Sequence, residues 1–302
     1  MPYQERPARL EVIKDVLAQD ARFQFIEPND FGMQYIDAIH DASYVDFLKT
    51  KSTTLPKTKP LYPSYFITDT YAPIVRGTYA AAKSAADVAL TGAALLVGGA
   101  AHAYSMCRPP GHHAEYKSMG GYCYFNNAAI AADYLSAHGR VAILDIDFHH
   151  GNGTQHTFYE RSDVLYVSIH ADPKKSYPYI SGWANETGKA EGIGYTINYP
   201  LPLKTTDTQY GKTLNHALAD IKTYQPDFLV ISLGFDTYKD DPMGGFSLTV
   251  PFYTSMGNKI ANLALPTLII QEGGYDVSQL GLMAHNFLQE FITPRYLTKN
   301  SS

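Results

Sequence analysis

A chain of 302 residues, 45% hydrophobic and 18% charged, carries enough apolar material for a sizeable core and has the balance of an ordinary soluble globular protein. Its formal net charge of -5, with Lys and Arg scattered, excludes the basic footprint of a protein that grips phosphate backbones, so nucleic acid is not an expected partner. Two cysteines, Cys107 and Cys123, are too few for a disulfide framework and fit a reducing compartment.

Charges follow Met1-Pro2-Tyr3 where a secretory leader needs an apolar run, so the expected location is cytoplasmic. Residues 49–63, rich in Lys, Thr and Pro, suit a surface loop. The most apolar stretch, residues 88–106, is Ala- and Gly-rich and broken by Gly98-Gly99 and His102, unlike a membrane span of about 20 strongly apolar residues. It reads as a buried helix followed by a strand or turn, and no membrane association is expected. Helices are predicted over residues 126–138, 211–224 and 251–264. Buried strands are predicted over residues 141–144, 228–233 and 266–270, each ending abruptly in a polar or Gly-rich turn. This alternation, without repeat or linker, predicts one α/β domain over residues 1–302, built on a mostly parallel sheet flanked by helices. In such sheets the functional site forms beyond the carboxyl ends of the strands.

The unusual residues gather at those ends. Asp145-Ile146-Asp147-Phe148-His149-His150-Gly151-Asn152-Gly153 runs from an apolar strand straight into two carboxylates and two imidazoles. Residues two apart on an extended chain share a side, so Asp145, Asp147 and His149 are candidates to face one point. Asp147 and His149 offer a carboxylate and an imidazole to a borderline metal such as zinc, and Asp236, past the next strand, is the best-placed third ligand. Two Asp and one His leave positions open, as catalytic zinc sites do. A single such Asp would serve as readily as a helix cap; the constellation is harder to explain that way.

The stiff turn Arg108-Pro109-Pro110-Gly111-His112-His113 presents two adjacent imidazoles that need separate partners, and Asp145 and Asn152 are candidates to accept their ring protons. Gln271-Glu272-Gly273-Gly274-Tyr275 follows another buried strand, and its paired glycines allow a sharp turn that places the Tyr275 phenol over the strand ends. Tyr is abundant at 24 residues, so only the location of Tyr275 singles it out as an oxyanion donor.

The ordered series Arg108 to His113, Asp145 to Gly153, Asp236 with Asp241-Pro242-Met243, and Gly273 to Tyr275 resembles the histone deacetylase superfamily. Gly120-Gly121-Tyr122-Cys123, Phe125-Asn126-Asn127-Ala128 and Glu186-Thr187-Gly188-Lys189 look like its bacterial acetylpolyamine amidohydrolase branch. The resemblance, from about Glu5 onward, implies the arginase/deacetylase fold and metal-assisted removal of acetyl groups from acetylated polyamines or small diamines. It implies zinc, with ferrous iron as the alternative, on Asp147, His149 and Asp236. His113 would be general base then acid, oriented by Asn152; His112, paired with Asp145, would give electrostatic support; Tyr275 would bond the substrate carbonyl. Tyr122, Tyr177, Gly121 and Met243 match the acyl-amine channel, and Asp69 an acidic rim position. Asp145 and Ser168, with the backbone of Asp147, His149 and Ile169, match a structural potassium site.

Members of that branch carry a strand and an extended loop ahead of the stretch matching residues 2–9. Residues 49–63 are also shorter than the insertion through which members dimerise and narrow their channel, which leaves the oligomeric state open. Three other functions compare with this pattern as follows. A protein lysine deacetylase would share every catalytic residue. A two-manganese arginase-like site needs bridging carboxylates that His149-His150-Gly151 does not supply. A noncatalytic acetylamine sensor would be expected to have lost one of His112, His113, Asp147, His149, Asp236 or Tyr275, and none is missing.

Overall fold

The computed structural model describes residues 3–57 and 59–292. Six strands form one sheet: β1 (His102–Ser105), β2 (Val141–Asp145), β3 (Val164–Ala171), β4 (Thr196–Leu201), β5 (Phe228–Leu233) and β6 (Thr267–Gln271). Their order is β1-β6-β5-β2-β3-β4, and every neighbouring pair is parallel. The helices are α1 (Ala8–Leu17), α2 (Gln34–Asp37), α3 (Ala42–Thr54), α4 (Thr78–Val97), α5 (Asn127–Ser136), α6 (Asn152–Phe158), α7 (Asp207–Tyr224), α8 (Phe252–Ala261) and α9 (Val277–Ile292).

The inner strands are apolar throughout because both faces of the sheet are covered. Along β2, Ala142 and Leu144 face a core shared with α1, α7, α8 and α9, while Val141 and Ile143 face a second core built with α3, α4 and α5. That two-residue alternation divides the protein into helix, sheet and helix layers. The edge strands β1 and β4 are only partly buried. Helix α4 is long and apolar enough to cross a membrane by length and composition alone, yet it packs on α5, β1 and β6. Its small residues permit this close approach: a Cβ on Gly92 would lie 2.5 Å from Leu268 Cδ1.

Strands β2, β5 and β6 stand where predicted, within a residue at each end, and β1 is the strand of the strand-or-turn alternative. The fully parallel sheet among the described residues agrees with the α/β class. The loop predicted over residues 49–63 needs correction, because α3 runs through Thr54 before the chain leaves the helix at Leu55. Leu48 and Ser52 point inward while the Lys and Thr side chains face solvent, so the polar composition recorded the outer face of a helix. Helix α7 also begins four residues before the predicted position 211, at a capping box formed by Thr206 and Gln209.

Candidate active site

Strands β6, β5, β2 and β3 are neighbours, so the turns leaving their carboxyl ends meet over the centre of the sheet. The turn after β2 carries Asp147 and His149, and the turn after β5 carries Asp236. One ligand atom from each of the three lies within 4.8 Å of the others. Backbone amides aim the acids: Asp147 Oδ2 accepts from Gly273 N at 2.8 Å, and Asp236 Oδ1 accepts from Phe148 N at 3.0 Å. Close approach of the turns requires glycine, since a Cβ on Gly234 would sit 2.1 Å from Asp147 Oδ2.

Electrostatics at this point ask for a cation. Burial, and then the charge of Asp147, push the Asp236 carboxyl up to about 7. Burial also works against ionisation of Asp147, but the neighbouring His112 and His149 hold it well below the usual carboxylate range. His149 Nδ1 stands 3.3 Å from Asp147 Oδ1 and 3.0 Å from Asp236 Oδ2. Burial alone would lower the His149 pKa; the two acids raise it to about 9. Two buried carboxylates and an imidazole nitrogen converging on one point fit a metal ion, which would take the place of the shared proton.

Beside this triad lie His112 and His113, with ring centroids 4.0 Å apart. His112 Nδ1 meets Asp145 Oδ2 at 3.1 Å, and the same oxygen accepts from the Tyr166 hydroxyl at 3.1 Å. His113 Nδ1 meets Asn152 Oδ1 at 2.8 Å. Burial disfavours the charged form of both rings. For His112 the charges of Asp145 and Asp147 prevail and raise the pKa to about 10. For His113 burial is joined by the charges of His112 and His149, and the pKa falls well below its ordinary value. The two adjacent imidazoles are therefore pushed in opposite directions, the separation that acid–base work requires.

Tyr275 is 6% exposed and packs on the Arg9 guanidinium, 4.7 Å from the ring centre. Its backbone N–H donates to Asp241 Oδ2 at 2.6 Å, and Asp241 Oδ1 accepts from Met243 N at 2.9 Å, which ties Met243 to the same turn. Burial raises the phenol pKa well above its ordinary value despite Arg9, so Tyr275 remains a hydrogen-bond donor. Opposite, the Tyr177 ring meets His113 edge-on at 4.8 Å, and Tyr122 packs 5.6 Å from Tyr275. Gly121, at φ 52°, leaves no room for a side chain, because a Cβ there would lie 2.3 Å from the His113 ring. Asp69 is committed to this loop, accepting from Gly121 N at 2.9 Å and Tyr71 N at 2.7 Å. Asp145 and Ser168 are register partners on β2 and β3, and the Ser168 hydroxyl meets His170 Nδ1 at 2.8 Å.

Sequence reasoning missed several supporting groups. Glu272 Oε2 accepts from Gly111 N at 2.7 Å and His112 N at 3.2 Å, fixing the histidine turn from beneath. Arg9, fully buried, donates to the Glu272 and Gly274 carbonyl oxygens, both at 2.5 Å. A separation of 265 residues from Gly274 gives no local signal for that contact. Glu115 lies two residues past His113 and had such a signal; its Oε1 accepts from Asn152 Nδ2 at 2.7 Å.

The histone deacetylase domain matches residues 3–291. Two acetylpolyamine amidohydrolases of Pseudomonas aeruginosa, numbered 1 and 2, are 44% and 42% identical to the chain, each match spanning 96% of this chain and 92% of the relative. A crystal structure of the acetylpolyamine aminohydrolase from Burkholderia pseudomallei superposes with a TM-score of 0.90 at 40% identity, covering 96% of this chain and 91% of that one. With the domain matched almost end to end and the sheet, turns and site disposed as above, the chain belongs to the histone deacetylase domain family and is a deacetylase of the arginase/deacetylase fold.

Proposed function

We propose that the protein hydrolyses the acetamide of acetylated polyamines or small diamines, with zinc held by Asp147, His149 and Asp236. The observation that carries this reading is the convergence of one ligand atom from each of Asp147, His149 and Asp236 beside the adjacent His112–His113 pair, whose pKa values are pushed in opposite directions, with the Tyr275 phenol at the same site. When bound, zinc would supply Lewis acidity, polarising a carbonyl oxygen and making water more acidic; ferrous iron suits the same donors.

The protein's own groups divide the remaining work. Neutral His113 takes the proton of the attacking water at Nε2 while Asn152 holds its Nδ1, and the same nitrogen then gives that proton to the leaving amine. Cationic His112, anchored by Asp145, offsets negative charge developing nearby, and the Tyr275 hydroxyl donates to the oxyanion. Acetate and a free amine leave. Asp145 and Ser168 would also contribute to a structural potassium site. The rings of Tyr122 and Tyr177 give a methylene chain apolar walls, and Gly121 and Met243 belong to the loops that border it. An ammonium group further out would feel the charge of Asp69. The names of the relatives favour free acetylated polyamines over acetyl-lysine in a protein.

The test is amine release by zinc-loaded protein from acetylputrescine, acetylcadaverine, acetylspermidine and an acetyl-lysine peptide, with Tyr275→Phe as the blank. A preference of roughly tenfold or more for a free amine, about 1.4 kcal/mol in transition-state binding, is expected. The Tyr275→Phe rate should fall about a hundredfold or more with metal retained. Preference for the peptide would make the protein a lysine deacetylase, and equal rates in the variant would remove Tyr275 from the mechanism.

A further inference from the structure

His113 has an amide for its orienting partner, and an amide is a poor arbiter of tautomers. The two ends of an Asn side chain are nearly the same size, so Asn152 fits its site equally well with Oδ1 or Nδ2 toward His113. With Oδ1 toward the ring, His113 carries its proton on Nδ1 and leaves Nε2 free to accept one. With Nδ2 toward the ring, Nδ1 must be the acceptor, the proton sits on Nε2, and the base is blocked. A carboxylate in place of Asn152 would settle the matter itself, since it only accepts; Asn152 needs a second group to settle it.

Glu115 is that group. Glu115 Oε1 lies 2.7 Å from Asn152 Nδ2, and the carbonyl oxygen of His113 lies 3.4 Å from the same nitrogen. Both are acceptors only, provided Glu115 is ionised. Burial works against that, but the hydrogen bonds from His156 and Asn152 prevail and keep the Glu115 carboxyl below its ordinary range. His156 Nδ1 meets Glu115 Oε1 at 3.0 Å, with its own side chain 47% exposed and that of Glu115 21%. A single hydrogen-bonded line thus runs from the surface to the reacting nitrogen: His156, Glu115, Asn152, His113.

We propose that Glu115 is a positioning residue for the proton-transfer histidine: by accepting the Asn152 amide hydrogen it turns Oδ1 toward His113 and thereby keeps the His113 proton on Nδ1. The inference rests on His113 being the base of the proposed reaction, but the tautomer itself is measurable without any substrate. It also accounts for an amide at position 152, because a carboxylate there would face Glu115 at hydrogen-bonding distance with no proton between them.

The experiment uses the zinc-loaded full chain with ring-15N histidine, the His113 signals being assigned by difference against His113→Gln. In the wild type the His113 ring should show one protonated nitrogen, Nδ1, and one unprotonated nitrogen, Nε2. Glu115→Gln keeps the size of the side chain but presents either an acceptor or a donor to Asn152, so the His113 signals should move to a mixture of the two tautomers. With acetylated amine, kcat should fall about tenfold while KM and metal content stay within twofold. Asn152→Asp alone should lose more activity than Glu115→Gln, and the double variant Asn152→Asp/Glu115→Gln should recover to within a few-fold of wild type, which a merely structural role for Glu115 would not produce. Unchanged His113 signals in Glu115→Gln, or a double variant no better than Asn152→Asp, would overturn the proposal. A wild type that turns over no acetylated amine would sink the assigned reaction alone, since the ring signals still decide for or against Glu115.

Discussion

At the scale of single residues, the site is organised by what each polar group is forced to face. His112 and His113 are chemically identical and adjacent in sequence, yet the charges of Asp145 and Asp147 raise the pKa of one against its burial, while burial and the charges of His112 and His149 lower that of the other. Among the candidate ligands, Asp236 is fully buried and, among the described residues, accepts one backbone bond, from Phe148. Asp236→Ala should therefore lose most bound metal while the fold survives; zinc content by elemental analysis after gel filtration checks this, and full occupancy would remove Asp236 from the ligand set. The residues that the strand-end turns bring together were legible in the sequence because carboxylates and imidazoles that follow apolar runs are hard to explain by packing. Asp69 was legible only as a charge: its oxygens are engaged by two backbone amides, a relation that depends on how two loops fold against each other.

At the scale of elements, helix α5 is started by a buried cap that also ties down the turn after His113. Asn126 starts α5 by accepting from Ala129 N at 2.9 Å, and its amide nitrogen donates to Ala114 O at 3.1 Å, one residue beyond His113. Asn126→Ala should cost about 2 kcal/mol, as a lost cap plus a buried carbonyl left without its donor, read as a lower urea midpoint at unchanged slope. A loss under about 0.5 kcal/mol would show that the turn after His113 is held elsewhere. Strands β2, β5 and β6 were legible as short apolar runs bounded by turns. Strand β4 was not, because its edge position leaves alternate residues half-exposed and its sequence, Thr196–Leu201, includes a proline tolerated only at a sheet edge. Strand β3 escaped because Ser168 and His170 break its apolar pattern, although every residue in it is buried.

At the scale of the whole molecule, buried neutral histidines make acid a denaturant. Burial lowers His40 and His170 to about 4 from an ordinary 6.5. His40 Nε2 accepts from Asn126 N, and its Nδ1 meets the Glu115 carbonyl, so protonation would cut a link between two loops. The unfolded chain binds these protons more readily than the folded one. Stability from both groups is therefore complete above about pH 6.5 and declines as pH falls through 4, by up to about 1.4 kcal/mol per pH unit for each. Urea midpoints between pH 7 and 4 should fall accordingly, and His40→Gln should flatten the slope; a midpoint independent of pH would contradict the buried neutral state. The α/β architecture itself was readable because strand and helix alternate along the chain, whereas the pairing of distant segments was not.

One of those pairings has a temporal meaning. Arg9, in the first helix, is tied to the carbonyls of Glu272 and Gly274 and lies beneath Tyr275. Contacts of such long sequence separation form slowly and only after the intervening chain is in place. During synthesis, the chain through Tyr275 must therefore leave the ribosome before the phenol can be seated against Arg9. Until then a nascent chain can display the aspartates and histidines of the β2 turn without the phenol beside them, so the candidate site is assembled late in the making of each new molecule.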